Sequence, residues 1–209
     1  MTQARFDEAA ASWDEKPRRR QLAAAIVTAM RRVLPLSREM TALEIGCGTG
    51  LVTCDLAPLL KRIVATDTSA GMLAVLAEKT AALGLENVEP RRHDLIGDGD
   101  LPEGTFDLIY SAMTLHHIED TRALLAACGR HLKPGAPLAL ADLDKEDGSF
   151  HDDMTGVAHC GFDQGRLAEL VVASGFQAPR FVTAYSITKE DAAGRSSDFP
   201  VFLMYTIRS

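Results

Sequence analysis

From residue 41 the chain runs through five mostly apolar positions, then glycines at alternate positions (Gly46, Gly48, Gly50), then an amphipathic stretch over about 51–60. No other feature constrains the fold as tightly. A strand that turns directly into a helix needs residues able to take positive φ, and backbone without Cβ atoms there lets a ligand lie against it. Strand-like and helix-like segments go on alternating downstream, the pattern of a parallel sheet with helical crossovers.

Residues 18–33 put Leu22, Ile26, Ala29 and Val33 on one helical face and stop before Pro35. Residues 62–67 read as the next strand. The helix after Ser69 is expected to bury Met72, Leu73, Leu76 and Leu83 and to end at Gly84. Further strands are expected at 87–93, 106–110 and 138–143, with a helix over 121–132 that turns Leu124, Leu125, Cys128 and Leu132 inward. Residues 144–163 are polar and lack periodicity. A helix over 164–174 precedes two strand-like runs, 176–187 and 201–207, joined by a polar loop. Strands with no helix between them pair as an antiparallel hairpin. The expected fold class is α/β: a doubly wound sheet, mostly parallel, with an antiparallel C-terminal hairpin strand, in one domain over 1–209. Residues 1–35 are expected to form an N-terminal helical cap and 144–163 a lid.

Composition narrows the partners. With 209 residues, 46% of them hydrophobic, the chain has the material for one sizeable core. Acidic residues outnumber basic ones, 29 to 22, for a formal charge of −7. A protein that grips nucleic acid by neutralising phosphates shows the opposite balance. The longest apolar runs, 22–30 and 138–141, fall far short of the ~20 residues of a membrane span. Residues 1–11 lack a cationic region followed by an apolar one, so no secretory signal is expected. Cys47, Cys54, Cys128 and Cys160 fall singly, as free thiols in a reducing cytoplasm do. The expectation is a cytoplasmic protein with a small-molecule partner and neither nucleic acid nor membrane.

Asp67 ends the second strand, 21 residues after Gly46. At about that spacing a carboxylate can accept both hydroxyls of a ribose, so a nucleoside-bearing ligand follows. A dinucleotide fingerprint would need a third glycine at position 51, where Leu51 stands.

Leu43-Glu44-Ile45-Gly46-Cys47-Gly48-Thr49-Gly50 resembles the first motif of the class I S-adenosylmethionine-dependent methyltransferases. Asp67-Thr68-Ser69-Ala70-Gly71-Met72-Leu73 is similar to the second, and His93-Asp94-Leu95 to the third. Phe106-Asp107-Leu108-Ile109-Tyr110-Ser111 is similar to that family's fourth strand, and Leu132-Lys133-Pro134-Gly135-Ala136 to the turn before the fifth. The resemblance implies a Rossmann-like methyltransferase domain whose cofactor is S-adenosyl-L-methionine. It implies that Gly46, Cys47 and Gly48 offer backbone to the methionine part, with Glu44 polarising the loop or reaching the ammonium through water. Asp67 would hold the ribose hydroxyls, Thr68 and Met72 would flank the adenine, and Asp94 and the Leu95 N–H would meet its edge. Ser111 would border the methionine moiety. Residues 6–14 resemble the helical cap of small-molecule members, with Trp13 walling the pocket and Arg18 or Arg19 pairing with the cofactor carboxylate.

A sulfonium is an activated methyl donor, so alignment supplies much of the rate, and a base is needed only if the acceptor is protonated. Candidate bases are His116, His117, His151 and His159, with His117 and His159 foremost. Adjacent residues point in different directions, so at most one of His116 and His117 is expected to face the pocket. His151, Asp152, Asp153, His159 and Cys160 lack metal-ligand spacing, and no metal is expected. Within the expected lid, His159 or Phe162 would touch the acceptor. Two other readings use the same geometry: a non-catalytic cofactor-binding or scaffold protein, and a NAD-dependent oxidoreductase.

Overall fold

Side chains of a strand point alternately to its two faces, and here that alternation sorts the apolar residues into two cores. The structure, a computed structural model, describes residues 3–101, 104–190 and 194–209. The strands are β1 (Thr41–Ile45), β2 (Arg62–Asp67), β3 (Val88–Arg92), β4 (Leu108–Ala112), β5 (Pro137–Leu143), β6 (Arg180–Glu190) and β7 (Ser196–Ile207). The helices are α1 (Gln3–Ala9), α2 (Pro17–Val33), α3 (Leu51–Leu56), α4 (Ala70–Leu83), α5 (Thr121–His131) and α6 (Gln164–Ala173). Ala42, Leu108, Tyr110, Ala139, Ala141, Val201 and Leu203 pack with Ile26 and Met30 of α2 and Leu56 of α3. Their neighbours Leu43, Ile109, Leu138, Leu140, Phe202 and Met204 pack with Leu124 and Leu125 of α5 and Val171 of α6.

One sheet runs in the order β3-β2-β1-β4-β5-β7-β6. The pairs from β3 to β5 are parallel, and β7 lies antiparallel between β5 and β6. The direction of winding reverses between β1 and β4, which leaves a crevice at the carboxyl ends of those two strands. Gly46 to Gly50 lie at that point.

Local signals start and stop the helices. Ser69, Asp120 and Asp163 cap α4, α5 and α6 by accepting the N–H of Met72, Ala123 and Arg166. Gly84 closes α4 in the left-handed conformation at φ 65°. Leu83, expected inside, is 62% exposed. The last turn of α4 has passed the edge of the sheet, so nothing remains there for the apolar stripe to cover. The C-terminal hairpin extends further toward its turn than expected: β6 starts at 180 instead of 176 but reaches 190, and β7 begins at 196 instead of 201. The polar stretch expected as a loop continues the hairpin, because a strand at a sheet edge keeps its outer side chains in water; Thr188 and Asp198 hydrogen-bond across it at 2.6 Å. None of the helices among the described residues is long and apolar enough to cross a membrane.

The N-terminal 35 residues divide. α2 packs against α3, β6 and β7 as part of the core, whereas α1 and the 3-10 turn Ala10–Glu15 lie on α4. Residues 144–163 form no helix, yet the stretch is pinned. The N–H groups of Ala158 and His159 both donate to the His116 carbonyl, and Phe162 exchanges backbone bonds with Leu143 and Lys145. Gly161 makes this possible: its φ is +63°, and a Cβ there would sit 2.0 Å from the Asp144 carbonyl oxygen. Gly161→Ala is therefore expected to lose roughly 2–5 kcal/mol, adding the left-handed penalty to a clash with backbone. Urea unfolding measures it; an unchanged midpoint would show that the loop yields at no cost.

Candidate active site

The carboxyl ends of β1, β2 and β4 open onto a cavity of about 800 Å³. Asp67 anchors its floor. One carboxylate oxygen accepts the Gly48 N–H at 2.8 Å and the other the Ser69 N–H at 2.9 Å, so the end of β2 is tied to the glycine loop after β1. Burial raises the Asp67 pKa above its ordinary value, and the backbone donors oppose that shift. The Cys47 N–H bonds to the Thr66 carbonyl at 2.9 Å. With the amides of Cys47 and Gly48 both engaged inside the protein, the loop serves a ligand by close approach, not by donating these N–H groups. Gly48 has φ +54° and nothing within 4 Å of where its Cβ would stand, while a Cβ on Gly46 would meet Thr114 at 2.3 Å.

Glu44 points from β1 into the apolar core beneath this loop. Its Oε2 accepts hydroxyls from Thr53 at 2.6 Å and Tyr110 at 2.9 Å. Burial is the main reason its pKa rises to about 7, the two hydroxyls pulling the other way. Glu44 also borders the cavity, so a cation bound there would meet a group poised to ionise.

Thr68, Met72, Asp94 and Leu95 line the cavity beyond Asp67. Asp94 also orders its own turn by accepting the Ile96 N–H at 2.9 Å. Ser111 departs from the expected position. It is 2% exposed, donates to the Ile45 carbonyl at 2.7 Å between β4 and β1, and does not border the cavity. Alternation turns its side chain into the sheet, and Ala112, Met113 and Thr114 take the wall instead.

The N-terminal segment forms the roof. Asp7 accepts from the Ser69 hydroxyl at 2.6 Å and the Gly71 N–H at 2.8 Å, and Asp14 accepts from Thr49 at 2.6 Å and Lys79 at 2.8 Å. Two carboxylates thus fasten the roof to the turns that carry the glycine loop and Asp67. Phe6 meets the edge of His117 at 5.4 Å, and Trp13 carries the Arg19 guanidinium 3.4 Å above its ring. Arg19 also donates to the Trp13 carbonyl at 2.9 Å.

Both His116 and His117 border the cavity, against the expectation of one. They lie on a 3-10 turn, Leu115–His117, so the divergence of adjacent side chains in a strand does not apply. The His116 ring nitrogen Nδ1 lies 2.8 Å from Asp142 of β5, a fully buried carboxylate that also accepts the His116 and Leu143 N–H groups. Facing a carboxylate, Nδ1 carries the proton, which leaves Nε2 with the lone pair. The His117 Nδ1 lies 2.8 Å from the Gly156 carbonyl, and burial foremost pulls its pKa down to about 4. The His151 ring packs 5.0 Å from that of His116, and its buried Nε2 lacks a partner among the described residues. The three imidazoles do not form a metal centre: among the described residues no group of three or more His, Cys, Asp or Glu could hold a metal ion.

His159 and Phe162 lie outside the cavity lining. His159 bonds the Ile118 carbonyl at 2.9 Å, and Phe162 is 9% exposed within the apolar core on the α5 side. The second half of 144–163 is a strut, and only Phe150, His151, Asp152 and Asp153 of that stretch reach the cavity. Sequence reasoning missed Asp142, Asp7, Asp14 and Thr114. Asp142 left one signal, a carboxylate in an otherwise apolar strand; the others lie in loops and helix starts that carry no such contrast.

A glycine loop at the reversal of a doubly wound parallel sheet, with an acid fixed beside it, defines a nucleoside-binding site of the Rossmann-like class. A family model described as a methyltransferase domain matches residues 43–138. An uncharacterized methyltransferase of Schizosaccharomyces pombe is 35% identical over 58% of this chain and 48% of its own length. A trans-aconitate 2-methyltransferase of Deinococcus radiodurans is 32% identical over 62% of this chain and 48% of its own. The chain thus spans about half the length of these two relatives. The fold superposes on an S-adenosylmethionine-dependent methyltransferase from Aquifex aeolicus with a TM-score of 0.69 over the whole of both chains, at 21% identity. Over residues 43–138 the chain is thus similar to methyltransferase domains, and its fold is the Rossmann-like fold of such proteins.

The buried Glu44 generates a prediction on stability. Its folded pKa, about 7, lies above the ordinary 4.5, so between these values the folded state holds more protons than the unfolded one. Stability then falls as pH rises through that window. Glu44→Gln keeps an oxygen for Thr53 and Tyr110 but cannot ionise, and its stability should decline less steeply there. Urea midpoints taken across the window test this; identical slopes would mean that Glu44 ionises normally in the folded protein.

Proposed function

We propose that this protein transfers the methyl group of S-adenosylmethionine to a small-molecule acceptor, with Asp67 holding the cofactor ribose and His116 serving as the base. The observation that carries this reading is the Asp67 carboxylate, locked by Gly48 and Ser69 at the crevice and facing the cavity. A carboxylate with both oxygens fixed by backbone donors still has lone pairs for two hydroxyls. Met72 and Leu95, nearly fully buried, offer flat apolar contact on the adenine side, and Asp94 an acceptor. Glu44 suits the cofactor's ammonium, because a cation beside it favours the ionised form that burial opposes. Arg19, held in place by Trp13, suits the carboxylate. The cavity volume falls within the roughly 300–1,000 Å³ of small-molecule sites.

When bound, the cofactor supplies an activated methyl group on sulfur. The chain's own residues then align the acceptor, exclude water and accept a proton. His116 suits the last task better than the other histidines. Its Nε2 has no hydrogen-bond partner among the described residues, its Nδ1 is oriented by buried Asp142, and it borders the cavity. His117, held neutral with a pKa near 4, is a weak base at neutral pH. Phe6, Trp13, Phe150 and His151 shield the site from bulk water.

Two experiments test the reading. Calorimetry should show S-adenosylmethionine and S-adenosylhomocysteine binding, with Asp67→Ala weakening both by roughly 1–3 kcal/mol, the range for a lost charge-assisted bond. Tight binding of NADH with no response to either sulfur compound would overturn it. With an acceptor in hand, His116→Ala should lower kcat by roughly 10²–10⁴-fold while cofactor affinity holds. Asp142→Asn, which removes the buried carboxylate that orients that imidazole and accepts the His116 and Leu143 N–H groups, should lower kcat while cofactor affinity holds. Unchanged kcat in both variants would leave the reaction without this base. Gly48→Ala tests the close approach; at φ +54° its Cβ brings backbone strain, less than a β-branched side chain would, so urea unfolding of the variant is read beside its cofactor affinity.

A further inference from the structure

The charges of the cavity wall are segregated. Glu44, Asp67, Asp94, Glu119 and Asp120 belong to the end of β1, the end of β2, the turn after β3 and the approach to α5. The opposite end, formed by α1, the start of α2, residues 150–153 and β6, carries Arg5, Lys16, Arg18, Arg19 and Lys189. Among the described residues that line this end, only Asp152 and Asp153 are acidic. Each is already engaged: Asp153 pairs with Arg5, and Asp152 with Lys189 at 2.8 Å. Lys16 and Arg18 both lie near enough to Asp152 to help hold its pKa down, behind the larger effect of Lys189. Among the described residues neither makes an ion pair of its own. In a protein of net charge −7, a surplus of three cations around one end of a cavity concentrates a field that the molecule as a whole opposes.

Cofactor does not use up this surplus. S-adenosylmethionine brings one carboxylate, for which Arg19 suffices, and its ammonium and sulfonium leave it net positive. The start of α2 offers no compensation: its first turn contains no acidic residue, and no side chain caps it. Its N-terminal partial charge adds to that of the side chains.

We propose, building on the methyltransferase reading above, that the acceptor is an oxyanion, a small carboxylate or phosphate ester, whose charged group is held by Lys16 and Arg18. Its reacting atom would then lie toward His116 and His151, in the aromatic part of the cavity. A guanidinium beside an ammonium suits either oxyanion, one giving a fork of donors and the other a point charge. An acceptor that is cationic at neutral pH would instead meet the positive charges of Lys16 and Arg18.

The test is calorimetry on the full chain saturated with S-adenosylhomocysteine. Citrate and succinate serve as carboxylate probes, glycerol 3-phosphate as the phosphate probe, and succinamide, glycerol and choline as uncharged and cationic counterparts. At least one oxyanion should bind well ahead of its uncharged counterpart, and the family that binds tells carboxylate from phosphate. The double variant Lys16→Gln/Arg18→Gln should weaken that binding by about tenfold or more while S-adenosylhomocysteine affinity stays within about twofold. The inference is overturned if no oxyanion binds below about 10 mM, if choline or the neutral probes bind as well, or if the double variant loses S-adenosylhomocysteine instead. A wild-type protein that fails to bind S-adenosylhomocysteine at all would sink the methyltransferase reading and so is distinguishable from these results.

Discussion

The bond between the Asp67 carboxylate and the Gly48 N–H, 2.8 Å long, is the constraint on which the site depends. It joins the ends of two neighbouring parallel strands where the sheet reverses its winding. A partly desolvated carboxylate is costly unless donors surround it, and the two backbone amides that meet Asp67 are those of its own turn and of the glycine loop. Each element therefore holds the other. The loop keeps its left-handed glycines because the acid fixes it, and the acid keeps its aim into the cavity because the loop supplies a donor.

The same economy of carboxylates recurs around the cavity. Asp7 and Asp14 fasten the N-terminal roof to Ser69, Gly71, Thr49 and Lys79, residues next to Asp67 and the glycine loop. Asp142 holds the His116 turn from the far side of β4. Buried or half-buried acids placed in this way position neighbours, and burial pushes the Glu44 carboxyl up to about 7. Roof, floor and histidine turn are thus linked through polar contacts whose loss would leave desolvated groups without partners. That makes the cavity a braced frame at the end that carries the glycine loop, while the opposite end rests on ion pairs at the surface, which contribute little and are screened by salt.

Residues 144–163 show why polarity and missing periodicity are poor guides to mobility. Such a stretch suggested a lid. Its backbone instead finds partners in His116, Leu143 and Lys145, so the segment satisfies its hydrogen bonds without regular structure. Phe162 then buries itself in the core, and His159 spends its ring on a carbonyl. Their replacement at the cavity by Phe150 and His151 follows from where the chain leaves β5, which no spacing along the sequence records.

The glycine spacing, Asp67 and the alternation of strand and helix patterns are local. They determined the α/β class, the mostly parallel sheet and the nucleoside-binding crevice, because turn chemistry and side-chain period act over a few residues. Residues expected at the cofactor (Glu44, Met72, Asp94, Leu95) do line the cavity for the same reason: each sits at the end of a strand or the start of a helix, where a parallel sheet opens. Tertiary structure decided what depends on the far partner. Ser111 turned inward because strand parity against β1 left it no other side, and His116 and His117 turned together because their segment closed as a 3-10 turn over Asp142. The gathering of Lys16, Arg18 and Lys189 at one end of the cavity needed β6 to fold back beside α2, across more than 170 residues of chain. Charge along a sequence sums over the whole molecule, but the field at a site follows an inverse distance, and only the fold sets the distances.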